Sequence, residues 1–365
     1  MNQDMMRRKT SALFSGVLLL STLCGLGAAW AAPGDGALES ALHTEAARLR
    51  ELALSPPVAA KLSSAEGGRI NALIVGCDKA MAGGQPLLAV RRLAKAGYDL
   101  DRLQFMTEYE AVKEQEEVDR LCAESLAGVP ALSRSPRPAA IQALMEVAHG
   151  RARGFMTSAP VHGAQTRLSN GTYYLAVGRS YEHQARFLAS LPWSAPASPV
   201  QELPGLASYL DRLDADITEL YVPPISITRH PEFIKTSAKL KLARQLFDEG
   251  AILGALELGL ETRAGLGRLQ DRGAISTEWL QESVEEYLAR MDEQGVDHSL
   301  GRMLLDRAQA GLQGATAGEA VAAQIDAAVI LAEALPEYFA CFVDDGDEHD
   351  DSAQVTVTLV RWPFT

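Results

Sequence analysis

Apolar residues recur at three- and four-residue intervals along most of the chain after residue 32, which is the period of an amphipathic α-helix. Leu38, Leu42, Leu49 and Leu52 form the first such stripe, and it stops at the prolines that follow Ser55. The same pattern predicts further helices within residues 67–84, 86–97, 101–127, 138–150, 172–191, 206–221, 242–265, 276–291 and 299–335. The predicted fold class is therefore mostly α.

Several stretches break the helical pattern. Residues 151–171 predict an irregular segment, and the prolines and β-branched residues of 221–233 predict an extended one. Near the end, 337–343 and 354–362 are rich in β-branched and aromatic residues and predict a C-terminal β-hairpin with an acidic loop. Because a lone hairpin is marginal in water, we expect its strands to pack on the helices, pair with 226–228 or pair with another chain.

Two segments, 76–97 and 242–265, share an arrangement of small residues. Aligning them superposes Gly84 on Gly250 and the alanine five residues later in each segment. This interval resembles that of the tetratricopeptide family, and the resemblance implies stacked helical hairpins with a concave groove that binds peptides. It covers these two segments only, without the early large aromatic residue or a regular period near 34 residues. Generic antiparallel helical hairpins in a bundle are the other interpretation.

The N-terminus has the pattern of a secretory signal peptide. Arg7, Arg8 and Lys9 precede an apolar run, and Ala29-Trp30-Ala31 supplies small residues for cleavage. A retained membrane anchor is the alternative, but the strongly apolar part is short for a bilayer span. We expect residues 1–31 to be removed near Ala31 and the protein to be periplasmic or secreted.

The net charge of the chain argues against two classes of binding partner. The formal net charge is −13, and removal of residues 1–31 takes away three basic residues and one acid, which gives −15. So acidic a chain is a poor candidate for binding nucleic acid or an anionic membrane surface. Since no second long apolar run follows, we predict no stable membrane insertion after processing.

The organisation predicted along the chain has two helical parts. A proline-rich stretch, 192–205, is the best boundary between them. The predicted segments are a signal peptide (1–31), an N-terminal helical subdomain (32–191), the linker (192–205), a C-terminal helical subdomain (206–335) and the hairpin with its acidic loop (336–365).

Cysteine use gives no disulfide framework. Cys77, Cys122 and Cys341 remain after processing, and all stand among apolar neighbours. One interpretation is three small buried hydrophobic residues. The other is a Cys77–Cys122 bridge in an oxidising compartment, which leaves one thiol over.

Recognised catalytic motifs are absent from the sequence: there is no Gly-x-Ser-x-Gly, His-Glu-x-x-His, phosphate-binding loop or Cys-x-x-Cys. One acidic run could hold Ca²⁺ through oxygen ligands, and its candidate ligands are Asp344, Asp345, Asp347 and Asp350. The alternative is a solvated hairpin loop whose charges discourage edge-to-edge pairing of strands. No other cofactor is predicted.

Two basic segments are candidates for ligand binding. The first carries Arg151, Arg153, His162 and Arg167, which could bind an anion such as a carboxylate, or could pair with local acids as surface arginines do. In the second, Arg229 and His230 stand in a proline-framed segment that could line a groove or act as a structural elbow between helices.

These features favour an exported, non-catalytic helical scaffold or partner-binding protein of the bacterial cell envelope. Its partner would be an envelope protein or peptide, and a homo-oligomer remains open. The alternative is a protein that binds a small anionic molecule or a divalent metal ion, with an unfamiliar enzymatic activity not excluded. An enzyme is the less favoured class because no catalytic constellation stands in the sequence.

Overall fold

A computed structural model describes residues 35–129, 132, 137–193, 202–223, 225–269, 278–314 and 320–342. Within these residues it contains helices and connecting turns and no strand, so the mostly-α prediction is confirmed. The α-helices are α1 (Asp35–Leu54), α2 (Pro56–Ala59), α3 (Ser64–Ala82), α4 (Pro86–Glu108), α5 (Gln115–Gly128), α6 (Ala139–Gln165), α7 (Leu168–Ser190), α8 (Leu206–Leu220), α9 (His230–Asp248), α10 (Ile252–Leu269), α11 (Glu278–Glu293), α12 (Ser299–Gly314), α13 (Ala320–Val329) and α14 (Leu335–Ala340). Two 3₁₀ turns (Tyr109–Ala111 and Ile225–Arg229) and a π-helical turn (Ile330–Ala334) complete them.

Three helix ends share one kind of glycine turn. Gly84, Gly250 and Gly295 have φ of 71°, 76° and 69°, a left-handed conformation that glycine adopts without strain. After each glycine, the next backbone N–H donates back to a carbonyl of the helix at 2.8 or 2.9 Å. Ala89 and Ala255 are fully buried in the helices that follow Gly84 and Gly250. The two turns lie where the sequence places them, while the tetratricopeptide-like array and its groove stay predictions.

Helices α6 and α7 approach each other closely because small residues face each other along both. A Cβ added to Gly171 of α7 would lie 2.9 Å from the Cα of Gly163 and 3.1 Å from the carbonyl oxygen of Ala159 on α6. Two turns further along α7, a Cβ added to Gly178 would lie 2.7 Å from Cγ of Met156. Only glycine at these positions lets the two backbones come this near.

The irregular segment predicted at 151–171 is wrong, because α6 continues without a break to Gln165. Ala152, Met156 and Ala159 are fully buried and stand at helical spacing, so their packing against α7 favours the helix over a loop. Pro160 is accommodated inside this long helix.

Helix N-termini are capped by distant parts of the chain. Asp297 accepts a hydrogen bond from the backbone N–H of Ala139 at 2.8 Å, and Ser299 accepts one from the next N–H at 3.0 Å, so both cap α6. The buried carboxylate of Glu146 on α6 in turn accepts a bond from the N–H of Gly254 in the first turn of α10, at 2.6 Å. These bonds satisfy N–H groups that a helix cannot pair internally.

The apolar core is shared by the two predicted subdomains. One cluster of buried side chains extends from Leu38 on α1 to Cys341 after α14, with contributions from both parts. A smaller cluster contains Val112, Val118 and Leu175. The division at 192–205 stays a prediction, since residues 194–201 lie outside the described part.

The C-terminal β-hairpin is not supported. Residues 335–340, which include most of its predicted first strand, form α14 directly after the π-helical turn. Pro336 lies in the first turn of α14, and Tyr338 and Phe339 are buried there. Tertiary packing thus outweighs the weak strand preference of two aromatic residues. The predicted second strand, 354–362, lies outside the described residues.

The elbow at 225–229 also differs from the extended conformation predicted for it. Ile225–Arg229 forms a 3₁₀ turn that leads directly into α9, with Pro231 in the first turn of that helix. A proline at this position has the backbone angle that a helix start requires.

The three cysteines in the described part of the chain, Cys77, Cys122 and Cys341, are free thiols, so the predicted Cys77–Cys122 bridge is not formed there. Cys77 on α3 is buried in the main core and Cys122 on α5 in the smaller cluster. Burial raises the pKa of the Cys77 thiol to about 11 and that of Cys122 to about 12, which keeps both protonated. The first interpretation of the cysteines, as small buried hydrophobic residues, describes all three.

Several expectations fall on residues outside the described part: the signal peptide 1–31, its cleavage near Ala31 and the acidic run 344–351. They stay predictions. Across the described ranges, none of the helices is both long and apolar enough to cross a bilayer.

Replacing Gly171 with Ala tests the close approach of α6 and α7. Because the new Cβ meets backbone atoms that cannot move aside, we expect the free energy of unfolding to fall by about 1–3 kcal/mol in urea denaturation. Gly154→Ala is the matched control on the exposed side of α6, where a Cβ has nothing within 4 Å, and should stabilise by roughly 0.5–1 kcal/mol. Equal effects of the two substitutions would contradict the packing argument.

Replacing Asp306 with Asn tests a buried carboxyl on α12. Burial raises its pKa to about 6, against the opposing charge of Arg302 and a hydrogen bond from Gln85 in the α3–α4 turn. A raised pKa in the folded state means that the contribution of Asp306 to stability is complete below pH 3.8 and is lost as the pH rises through 6. Asp306→Asn should therefore stabilise by about 1–3 kcal/mol at pH 7.5 and by almost nothing at pH 3.5. Urea denaturation at both pH values measures this, and a pH-independent difference would argue against it.

Candidate functional site

Five ionisable side chains from four helices meet in the interior; we call them the charge cluster (Arg91, Arg151, Lys239, Glu257 and Glu261). Arg91 of α4 pairs with Glu257 of α10 and also lies 3.4 Å from Glu261, one turn further along. Glu261 also forms ion pairs with Arg151 of α6 at 3.2 Å and with Lys239 of α9 at 3.4 Å. Three cations thus converge on two carboxylates, and the cluster ties α10 to three neighbouring helices.

The two carboxylates of the cluster have opposite electrostatics. Burial raises the pKa of Glu257, whose side chain is 1% exposed, and Arg91 only partly offsets this. Burial also acts on Glu261, but the charges of Arg151, Lys239 and Arg91 together hold its pKa well below the ordinary value. Glu261 is therefore ionised throughout the ordinary pH range, while Glu257 is the carboxyl that takes up a proton first.

An aromatic stack borders the cluster on the side of α7. The guanidinium of Arg151 lies over the ring of Tyr181, with 5.4 Å to the ring centroid, and Tyr181 stacks on Tyr98 with centroids 4.3 Å apart. Phe155 also stacks on Tyr181, with ring centroids 5.9 Å apart. The ring of Tyr181 covers one face of the Arg151 guanidinium, which remains paired with Glu261.

A pocket of about 200 Å³ opens beside the cluster, between α9, α10, α12 and the π-helical turn. We call it the α9–α12 pocket. Its polar lining comes from Lys239, Glu261 and Arg307, and Arg307 pairs with Asp326 at 2.6 Å. Its apolar lining consists of Leu260, Ala264, Leu304, Ile330 and Ala334. The pocket is thus charged on one side and apolar on the other.

The π-helical turn that forms one wall is held from outside the pocket. Arg263 of α10 places its Nε 3.2 Å from the carboxylate of Glu333 in this turn and binds Asp216 of α8 at 2.5 Å. Pro336, just after the turn, has no N–H to donate to the preceding turn, and its ring crowds that carbonyl, which accounts for the widened helix here.

A second feature is an exposed apolar surface where α8 turns into α9. We call it the elbow patch, formed by Val222, Ile227 and Ile234. Their exposed fractions are 54%, 62% and 55%. Tyr221 donates to or accepts from His230 Nδ1 at 2.9 Å and packs on Phe233 with ring centroids 5.1 Å apart, which brings the two ends of the elbow together.

The first set of predicted ligand residues is not gathered into one place. Arg151 and Arg153 lie on α6, where Arg151 joins the charge cluster and Arg153 pairs with Glu249 at 3.1 Å. The ring of His162 stacks on Tyr174 at 4.2 Å, and Arg167 is exposed just before α7. From Arg151 to the end of α6 at Gln165 the helix extends roughly 21 Å, and Arg167 lies beyond that end.

The second set, Arg229 and His230, lies at the elbow patch. Arg229 ends the 3₁₀ turn and donates to the carbonyl of Leu269, the last residue of α10. His230 begins α9 and contacts Tyr221. Both are exposed, as a surface for a partner requires.

The predicted metal ligands Asp344, Asp345, Asp347 and Asp350 lie outside the described residues, so the calcium site stays a prediction. In the part of the chain that is described, no group of three or more His, Cys, Asp and Glu side chains has an arrangement that could hold a metal ion.

Sequence reasoning missed four members of the charge cluster. Glu257 and Glu261 stand four residues apart in a mostly apolar run, LGALELGLETRAG, which places both on one face of the helix. Buried carboxylates require cations, so this spacing predicts partners on neighbouring helices. It does not say which of the chain's 34 basic residues they are.

No protein-family model matches this chain, and neither the curated proteins nor the solved structures contain a significant match. The functional argument therefore depends on the contacts of the site itself.

Replacing Arg91 with Met tests how much the fold depends on the charge cluster. Glu257 would lose its paired cation while remaining buried, so we expect the free energy of unfolding to fall by about 3–5 kcal/mol at pH 7.5. The loss should shrink at pH 5, where Glu257 takes up a proton more readily. Glu257→Gln is the matched variant and should cost less, since Arg91 retains Glu261. A loss in Arg91→Met that is the same at both pH values would show that the pairing is not the cause.

Proposed function

We propose that the protein is an exported, non-catalytic scaffold of the bacterial cell envelope that docks an acidic, amphipathic segment of a partner protein on the elbow patch. The observation that carries the proposal is the exposure of Val222, Ile227 and Ile234 in the segment that runs from the end of α8 into the start of α9. Single exposed apolar residues scattered over a protein surface are normal, whereas several of them in one short segment favour an interaction site.

The elbow also differs in charge from the rest of the chain. Arg229, Lys235 and Lys241 are exposed there against a single acid in 221–241, Glu232, so the exposed groups sum to +2. The whole chain has a formal charge of −13. A partner attracted to the elbow rather than to the remaining surface is therefore acidic, and it needs apolar residues to cover the patch.

The ion pairs of the charge cluster support a scaffold rather than an enzyme. Within the charge cluster, Arg91, Arg151 and Lys239 are paired with carboxylates that hold helices together. This arrangement suits a structural role. The export and envelope location rest on the signal-peptide pattern of residues 1–31.

Site-specific photo-crosslinking in intact cells tests the proposal. A photoreactive residue replaces Ile227 or, in a second strain, Ile234, and both should give the same crosslinked species. Lys235→Glu with Lys241→Glu should reduce that product at least fivefold, because the electrostatic attraction to an acidic partner is reversed. Mass spectrometry of the product identifies the partner and its contact segment.

Two controls make the outcome decisive. The photoreactive residue at Val75, another partly exposed apolar position on α3, should not give this product. Lys113→Glu, on an exposed lysine before α5, should leave it unchanged. No common product from Ile227 and Ile234, a product insensitive to the lysine reversals, or a contact segment that is basic would each overturn the proposal. A product with twice the subunit mass would replace the partner with a second copy of this chain.

A further inference from the structure

The α9–α12 pocket has an apolar wall and a charged side. Its apolar walls, Leu260, Leu304 and Ile330 among them, are almost completely buried, while Lys239 and Arg307 retain 33% and 29% exposed side chains at its charged side. An apolar wall that faces a few convergent polar groups is an arrangement found in small-molecule sites. This feature is separate from the elbow patch.

The charges around the pocket favour an anion. Arg91, Arg151, Lys239 and Arg307 contribute four positive charges, against three negative charges from Glu257, Glu261 and Asp326, which leaves +1. Because Glu257 is the group most readily protonated, the local balance only becomes more positive. An isolated positive balance at a concave site attracts a negatively charged ligand.

Lys239 is the cation best able to change partner. Glu261 keeps Arg91 at 3.4 Å and Arg151 at 3.2 Å without it, so its carboxylate stays compensated if the ammonium turns toward a ligand. The contact of Lys239 with Glu261 is long, at 3.4 Å, and its side chain is one-third exposed. Turning it into the pocket therefore costs little.

The wall formed by Ile330 and Ala334 adds an independent observation. These residues belong to the π-helical turn, and single π-turns inserted in helices occur frequently at functional sites. The turn is held by the pairing of Glu333 with Arg263, so it presents a fixed surface to the pocket.

We propose that the α9–α12 pocket binds a small amphipathic carboxylate, with its carboxylate on Lys239 and Arg307 and its apolar part against Leu260, Ala264, Leu304, Ile330 and Ala334. The size limits the ligand. A cavity of about 150 Å³ in another protein accommodates benzene, so about 200 Å³ accommodates a monocarboxylate with roughly six apolar carbons.

Isothermal titration of the purified mature chain with benzoate and hexanoate tests the proposal, in a buffer free of other carboxylates. We expect saturable binding of at least one with a Kd on the order of 0.1–1 mM, the range for so small a ligand. Benzylamine and hexylamine have the same apolar parts with a positive charge, and should bind at least about tenfold more weakly.

Matched variants locate the site. Lys239→Gln should weaken carboxylate binding about tenfold or more, as expected for loss of a charge-assisted hydrogen bond. Lys241→Gln, on an exposed lysine of the same helix, should change it less than twofold. Ala264→Leu fills the apolar side and should abolish binding; circular dichroism and thermal unfolding establish that this variant is folded.

Three results would overturn the assignment: no saturable binding of either carboxylate up to about 20 mM, equal binding of acids and amines, or unchanged binding in Lys239→Gln. The elbow variants Ile227→Ser and Ile234→Ser should leave carboxylate binding unaltered. The pocket and the partner surface therefore succeed or fail separately.

Discussion

The interior of this protein is organised around the need to compensate two carboxylates on one buried helix. The side chain of Glu257 on α10 is 1% exposed and that of Glu261 is 23% exposed. Removing the cation that pairs with a buried charge costs about 3–5 kcal/mol, a large part of the stability of an ordinary domain. The required cations come from α4, α6 and α9. Apolar packing alone would allow these helices to rotate or slide against α10, whereas the ion pairs fix their register.

The helix caps impose the same kind of constraint at the ends of helices. Asp297 and Ser299 complete the first turn of α6, and Glu146 of α6 completes that of α10. Because each of these polar groups is buried, each must form its hydrogen bond when the protein folds. The bundle is therefore determined by directional contacts between distant segments as well as by its shared apolar core, which gives the pocket and the elbow patch a rigid support.

Periodicity predicted the helices well, because most of them have an apolar face of regular spacing and end at glycine or proline. Gly84 and Gly250 mark their turns unambiguously. Prediction failed where packing outweighs local preference: 151–165 is helical because Ala152 and Ala159 fit against α7, and 335–340 is helical because Tyr338 and Phe339 are buried after a π-turn. The acids of the charge cluster could be predicted from the sequence, because the spacing of Glu257 and Glu261 in an apolar helix indicates buried carboxylates. Their cations could not, because a long-range partner such as Arg91 leaves no local sequence pattern.

The cap on α6 also has a consequence for the order in which the fold assembles. Ala139 and its capping residue Asp297 are 158 positions apart, so more than a third of the chain must be made after α6 before its first turn can be completed. Chains are synthesised from the N-terminus, and contacts of large sequence separation form late. Until residues 297–299 are available, the first turn of α6 lacks the two side chains that satisfy its N–H groups.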